Sequence, residues 1–480
     1  MEQNIRNRAF SGVLWGFLEK FALQAFGFIQ GVILARLLSP KDYGLVAMVG
    51  IFVMLSYAFI DSGFGTALIQ KKEKREIDYS TVFVLNVTIS LFISILLFLF
   101  SPLIANFYHE PLLSKIVKVY ALLLFLSSFI AIQDVRLSIL LEFKKKSIIN
   151  VITTITSGLF AIVMAFYGWG VWSLILPQFC TIILKAFLYW YYQRWLPGFK
   201  FSNRSSKELF GFGSKILASS ILATIFENIY PLIIGKAFSA RALGYYSRAD
   251  GYANLPPKTI TSVIESVAYP IFSRLQEDEY ALKSAFSRMI RVSAYLIFPL
   301  MVWLLVLAKP LVVILVTAKW LPCVIYLQVL CLAKMWWHVQ VLNLSLLKAK
   351  GRSDLFFKLE IAKKILTVVI LCATVPFGIL IMCVGSVISS IISMGINSYY
   401  TGKLMNFGII KQFKDMGPAL LYSLFMGVVI YLCLLPIHDL MMQLMVGTAI
   451  GIVFYVGISK LTGSKELSYL ILLIHEKIRN

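Results

Sequence analysis

The sequence has little charge and little polar chain between its apolar runs. Only 14% of its 480 residues are Asp, Glu, Lys or Arg, against roughly a quarter in a soluble domain. Acids are the scarcer sign, 23 against 45 Lys and Arg. Cysteine is sparse: Cys180, Cys323, Cys331, Cys372, Cys383 and Cys433, with no CxxC pair. They read as small apolar core residues, not as disulfides or metal ligands. Four scattered histidines make no zinc constellation, so no metal is expected. "GFGSK" from Gly211 lacks the spacing of a phosphate loop, so no nucleotide or other cofactor is expected. What remains in abundance is apolar side chain: 59% of residues, with a mean hydropathy of +0.83. A soluble fold lacks the interior to hide so much, which leaves an all-α polytopic membrane protein.

A spanning helix takes about 20 mostly apolar residues. Fourteen such stretches begin near residues 11, 43, 80, 116, 147, 170, 211, 251, 293, 321, 358, 378, 418 and 440. The first follows a basic start, "MEQNIRNRAF", with no A-x-A cleavage site, and reads as an uncleaved helix. A net charge of +22 in a soluble protein suggests nucleic acid. Here the basic residues collect in alternate loops instead: "KKEKRE" from Lys71, Lys144 to Lys146, a linker with Arg194, Lys200, Arg204 and Lys207, then Lys348, Lys350 and Arg352, and finally Lys465, Lys477 and Arg479. The intervening loops "YGWG", "PFG" and "PIHD" carry no Lys or Arg. The positive-inside rule then predicts both termini in the cytoplasm and no nucleic-acid partner. Arg241 and Arg248 are the misfit, since they belong to an external stretch.

The chain also repeats itself. Ser39 and Gly44 of "LLSPKDYGLVAM" recur 200 residues later as Ser239 and Gly244 of "AFSARALGYYSRA". "LLEFKKKS" ending at Ser147 parallels "LLKAKGRS" ending at Ser353, and Tyr191-Tyr192 parallel Tyr399-Tyr400. Each half holds six spans, an even number, so the halves enter the membrane from the same side. Parallel repeats of this kind are a transporter plan with the site at their interface. The expected organisation is residues 1–200 as one six-helix lobe, 201–403 as a second, and 404–480 as two added helices with a tail.

A charge at bilayer depth costs between about 3 and over 10 kcal/mol, so it snorkels, pairs or lines a wet cavity. Lys20, Gln24, Gly27 and Gly31 share one helical stripe, and Glu19 points about 100° away. Ser220, Thr224 and Glu227 align in span seven, close to Pro231. In span eight Lys258, Ser262 and Glu265 share a face behind Pro256-Pro257. Lys334, His338 and Ser345 share another in span ten, flanked by Trp336 and Trp337, a possible sugar-stacking surface. Asp61, near the cytoplasmic end of span two, suits a cap or a partner for a basic loop residue.

Three long segments carry a family resemblance: "PLIIGKAFSARALGYYSRADGYANLP", "YPIFSRLQEDE" and "LNLSLLKAKGRSDLFFKLEIAKK", with "DSGFGTALIQKKE" beside them. They resemble the polysaccharide-exporter branch of the multidrug/oligosaccharidyl-lipid/polysaccharide (MOP) superfamily, of the WzxC and teichuronic-acid exporter type. The resemblance implies fourteen transmembrane helices, with two six-helix lobes in a V around a central cavity. It implies a non-enzymatic flippase of the bacterial inner membrane, carrying isoprenoid-diphosphate-linked oligosaccharide outward by alternating access. Lys20, Gln24, Lys258, Ser262, Lys334 and His338 would then bind substrate, and Glu227, Glu265 and Asp61 would couple H+ or Na+. The bilayer and a polysaccharide polymerase would be partners. The family's "N-x-D-R" stretch in span seven reads "NIYP" here, with Glu227 one turn earlier. The alternatives are an ion-coupled multidrug or metabolite antiporter of the same superfamily and a membrane glycan polymerase.

Overall fold

A computed structural model describes residues 2–472 apart from Ser62, Arg194, Leu196, Pro197, Phe199 and Leu470. Side chains are described from Trp15 onward, except those of Phe17, Asp61, Phe212 and Lys215. Arg194, Lys477 and Arg479 of the basic loops therefore lie outside the described residues, as does the Asp61 side chain. Every regular element among the described residues is helical.

The first unit, Met1–Gly244, comprises α1 (Glu2–Leu37), α2 (Pro40–Asp61), α3 (Phe64–Gln70), α4 (Glu76–Tyr108), α5 (Leu112–Ile139), α6 (Phe143–Phe166), α7 (Trp172–Ile175), α8 (Pro177–Gln193), α9 (Asn203–Glu227) and α10 (Ile229–Ala237). Within it α4 packs along α5, α1 along α6, and α2 along α9. Helix α11 (Ala240–Arg274) starts in this unit and runs into the second, Tyr245–Asn480. That unit adds α12 (Glu279–Val306), α13 (Ala308–Val316), α14 (Cys323–Lys334), α15 (Trp337–Ala349), α16 (Ser353–Thr374), α17 (Ile379–Met405), α18 (Ile409–Leu434) and α19 (Leu440–Leu461). Here α12 packs on α18, α17 on α14 and α16, and α19 on α18. By packing, the described chain divides after Gly244, with α9 and α10 lying against α2.

Among the described residues, eleven helical segments are long and apolar enough to cross a membrane, and a twelfth is formed if the bent pair Asn203–Gly211 and Ile216–Glu227 counts as one span. Helices α11 and α16 stand where two further spans were expected. Neither qualifies, because α11 carries Arg241, Arg248, Asp250, Lys258, Glu265 and Arg274, and α16 carries Asp354, Lys358, Glu360, Lys363 and Lys364. All six cysteines are free thiols; Cys323, Cys331 and Cys383 are buried, but Cys372 and Cys433 are exposed rather than in the core.

The twice-written motif now has a physical meaning. Ser39 sits just before Pro40, the first residue of α2, where a missing N–H costs nothing. The Ser39 N–H and Oγ donate to Asp42 Oδ2 at 2.9 and 2.6 Å, and the Asp42 N–H donates back to Ser39 Oγ at 3.3 Å. This reciprocal cap starts the helix. Ser239 caps α11 in the same place, its Oγ accepting the Ala242 N–H at 3.2 Å. One turn further in, each copy has a glycine, and the two copies touch. A Cβ built on Gly44 would overlap the Ala240 carbonyl, and one built on Gly244 would overlap the Pro40 carbonyl. The punctuation writes two capped helix starts that cross backbone to backbone. Gly63 is special for two reasons: its φ is +67°, and its absent Cβ would lie 2.9 Å from Gly213. It lets α3 approach α9 where that helix bends by 50°.

Lys71 closes the same unit at the loop. Its Nζ lies 3.1 Å from Asp78 Oδ1 and 2.9 Å from Glu208 Oε2. Burial works against the Lys71 charge, but hydrogen bonds to Glu208 and Asp78 outweigh it and hold the pKa above its usual value.

Replacing Gly44 or Gly244 with Ala must push two helix starts apart, an overpacking that costs about 1–3 kcal/mol. Gly50, also on α2, has nothing within 4 Å of its ideal Cβ. Thermal unfolding of the purified protein should therefore show a lowered midpoint for Gly44→Ala and Gly244→Ala, and no loss for Gly50→Ala.

Candidate functional site

Glu19 and Lys20 are neighbours on α1 with opposite fates. Glu19 accepts from Ser147 Oγ at 2.6 Å and from Asn150 Nδ2 at 2.8 Å, which ties α1 to α6. That contact fixes the rotation of α1 and turns Lys20 away. Lys20 and Gln24 are exposed, and Lys20 has no carboxylate partner among the described residues. The stripe expected from the sequence is uncovered by protein.

Glu227 ends α9, and Asn228 stands between it and α10. Asn228 Nδ2 donates to the Thr224 carbonyl at 2.8 Å and approaches Met54 Sδ at 3.4 Å. Pro231 has no N–H to give the Glu227 carbonyl. Glu227 itself is exposed, with no cationic partner among the described residues. An exposed acid at an interrupted apolar helix is a recurrent transporter arrangement.

Also in the first unit, α2, α4 and α10 enclose a groove of about 840 Å³. Its walls include Phe52, Phe59, Phe92, Leu97, Phe100 and Phe107. Ser56, its lone hydroxyl, is already bonded to the Phe52 carbonyl at 2.7 Å. At the Phe107 end, Lys236 Nζ donates to the Phe107 carbonyl at 2.7 Å and sits 4.7 Å above its ring.

In the second unit α11 carries a polar stripe: Asp250, Asn254, Lys258, Ser262 and Glu265, spaced by four, four, four and three. Its two ends are engaged. Lys334 Nζ on α14 meets Asp250 Oδ1 at 3.0 Å, with the two side chains 28% and 30% exposed. Asn254 Nδ2 donates to Asp250 Oδ2 at 2.7 Å. Ser345 Oγ donates to Glu265 Oε1 at 3.4 Å, and Lys348 Nζ lies 3.7 Å from the same oxygen. Between these tethers Lys258 is exposed and unpaired among the described residues, and Ser262 is exposed beside it.

Two expectations change. Lys334 is a partner of Asp250 rather than a free cation. His338 shares its helical face in sequence but is fully buried. Its ring packs on Phe298 at 5.4 Å, and Trp336 packs on the same phenylalanine at 5.3 Å and on Phe413 at 5.8 Å. Apolar neighbours enclose both rings, so neither offers a surface to a ligand; of the pair only Trp337 is exposed. Asp250 was missed. Its signal was its place two turns before Lys258 on the same stripe.

With every described element helical and eleven or twelve apolar spans among the described residues, the chain is a polytopic membrane protein. Solved structures share its fold. The lipid II flippase MurJ in an inward closed conformation superposes with a TM-score of 0.77 over 94% of this chain and 98% of that one, at 17% identity. An inward-facing MATE-family multidrug resistance transporter of the MOP superfamily follows at 0.61, covering 81% and 96%, at 13% identity. The chain belongs to the polysaccharide biosynthesis protein family, whose model matches residues 33–325. Among its relatives are the teichuronic acid biosynthesis protein TuaB of Bacillus subtilis, 26% identical over 94% of both chains, and the lipopolysaccharide biosynthesis protein WzxC of Escherichia coli, 27% identical over 76% of this chain and 74% of that one.

The Asp250–Lys334 pair lies between surface and buried ion pairs in exposure, so its coupling should be about 1–2 kcal/mol. Asp250→Asn and Lys334→Gln should each lower the thermal midpoint, and the exchange Asp250→Lys with Lys334→Asp should recover most of the loss. A double-mutant cycle measures it.

Proposed function

We propose that this protein carries an isoprenoid-diphosphate-linked oligosaccharide from the cytoplasmic to the periplasmic leaflet of a bacterial inner membrane, without changing it covalently. The single observation that carries the proposal is that Lys20, on an apolar span of the first unit, and Lys258, on the polar helix α11 of the second, are each exposed without a carboxylate partner among the described residues. A cation kept there at such cost needs an anion to serve. A diphosphate supplies it, and membership in a polysaccharide biosynthesis family, with relatives in teichuronic acid and lipopolysaccharide biosynthesis, supports a glycan-bearing cargo.

In this proposal the chain crosses the membrane fourteen times, with α11 and α16 as polar spans and both termini cytoplasmic. Two six-helix lobes rock about a wet passage. Lys20 and Lys258 draw in the diphosphate, while Gln24 and Ser262 meet sugar hydroxyls. The apolar groove on α2, α4 and α10 gives the isoprenoid tail a surface outside that passage. Two negative charges moving outward across about 100 mV gain about 4–5 kcal/mol. Proton or sodium counterflow through Glu227 is the other energy source; Glu265, held by Ser345 and Lys348, is less free for that role. A polysaccharide polymerase would receive the product.

Flux of radiolabelled lipid-linked oligosaccharide into proteoliposomes, beside uptake of a cationic dye, tests the proposal. Lys20→Ala with Lys258→Ala should abolish oligosaccharide flux, with the protein still inserted at normal abundance. Undiminished flux in that variant, or dye movement without oligosaccharide movement, would refute it.

A further inference from the structure

Far along the chain from the α11 stripe, the second unit builds another cationic site. Arg291 on α12 is fully engaged. Its Nη1 donates to Ser287 Oγ at 2.9 Å, its guanidinium lies 3.6 Å from Asp415 on α18, and its Nε lies 3.1 Å from Glu466. Ser287 Oγ donates in turn to Asp415. This knot fastens the segment after α19 to α12 and α18. In doing so it brings Lys465, next to Glu466, beside Arg288, one turn before Arg291. The result is a cavity of about 260 Å³ lined by Arg288, Arg291, Val292, Lys465, Glu466 and Tyr469.

Charge does not balance in that cavity. Asp415 and Glu466 both go to Arg291, and among the described residues no carboxylate reaches the other two cations. Arg288 and Lys465 are exposed, without a carboxylate partner among the described residues. The Arg288 guanidinium is instead held over the Tyr469 ring, 5.7 Å from its centre, which orients its planar donors. Two like charges on one small concavity repel each other, and an anion between them removes the repulsion. Arg offers a forked pair of donors that matches phosphate oxygens, and Lys a point charge beside it.

Depth supplies the ligand's chemistry. Lys465 stands four residues beyond Leu461, which ends the apolar span of α19 and is 90% exposed. The cavity therefore lies where hydrocarbon gives way to water, the level of lipid phosphates. We propose that it binds a phosphate ester, presented by the head group of an anionic phospholipid, and that this lipid clamps the segment after α19 to α12.

The test uses full-length protein in detergent, titrated separately with phosphatidylglycerol, phosphatidylcholine and inorganic phosphate, and read by thermal midpoint and by lipid retained in native mass spectra. Phosphatidylglycerol should raise the midpoint and phosphatidylcholine should not. Each charge-assisted contact is worth about a tenfold change in affinity, so Arg288→Gln with Lys465→Gln should weaken binding at least about tenfold. Lys403→Gln, an exposed cation outside the cavity, should leave it unchanged. Stabilisation by inorganic phosphate as well would show that the site reads the phosphate group alone. Equal effects of the two lipids with none from phosphate, or wild-type affinity in the double variant, would overturn the proposal. Arg288 and Lys465 lie outside the Arg291 knot, so the double variant should fold; its lipid-free midpoint checks that.

Discussion

The charges on the described helices answer to one constraint: a charge on an apolar helix must be satisfied by a neighbour or by water. The helices sort their charges accordingly. Glu19 has two hydrogen-bond donors from α6. Asp250 has Lys334 and Asn254. Glu265 has Ser345 and Lys348. These contacts fix the rotation of α1 and α11 with one face turned outward. Lys20, Lys258 and Glu227 are what the same helices then present. The structural charges and the available ones are thus neighbours by necessity, since the first set the rotation at which the second appear.

The glycine crossing shows the same economy in the backbone. A capped helix start exposes free N–H groups and costs little to place at a membrane boundary. Setting two of them in contact requires that each carry no side chain at the point of approach. Gly44 and Gly244 meet that need in both copies. Ser and Gly stand at the same spacing in both stretches, while the apolar residues around them differ. Apolar side chains in a bilayer are exchangeable; a backbone contact is not.

That difference decides what could be read in advance. Helix positions were legible, because runs of apolar residues have little else to become in a membrane. The stripes of α1 and α11 were legible from spacing alone. Their partners were not: nothing in the order of residues says that Lys334 will reach Asp250, or that His338 will turn into an aromatic core while its neighbours stay outside. A helical face is fixed by sequence, but whether that face meets protein is fixed by packing between segments far apart in the chain. The knot at Arg291 was hidden for the same reason, since its acids come from α18 and from beyond α19.

Helix α11 unites these threads. It keeps helical form through Pro256 and Pro257, which remove the donors that the carbonyls of Tyr252 and Ala253 would otherwise have. In hydrocarbon, such freed carbonyls are tolerated only where protein or water re-satisfies them. Lys258 follows at once, exposed and unpaired. Ala253 and Pro257 are buried and belong to a different face of α11 from the exposed Lys258, so the freed backbone turns toward protein while the ammonium turns away from it. The cost then has a use in the proposed function: a wet, cationic face offers a diphosphate what it loses on leaving bulk water.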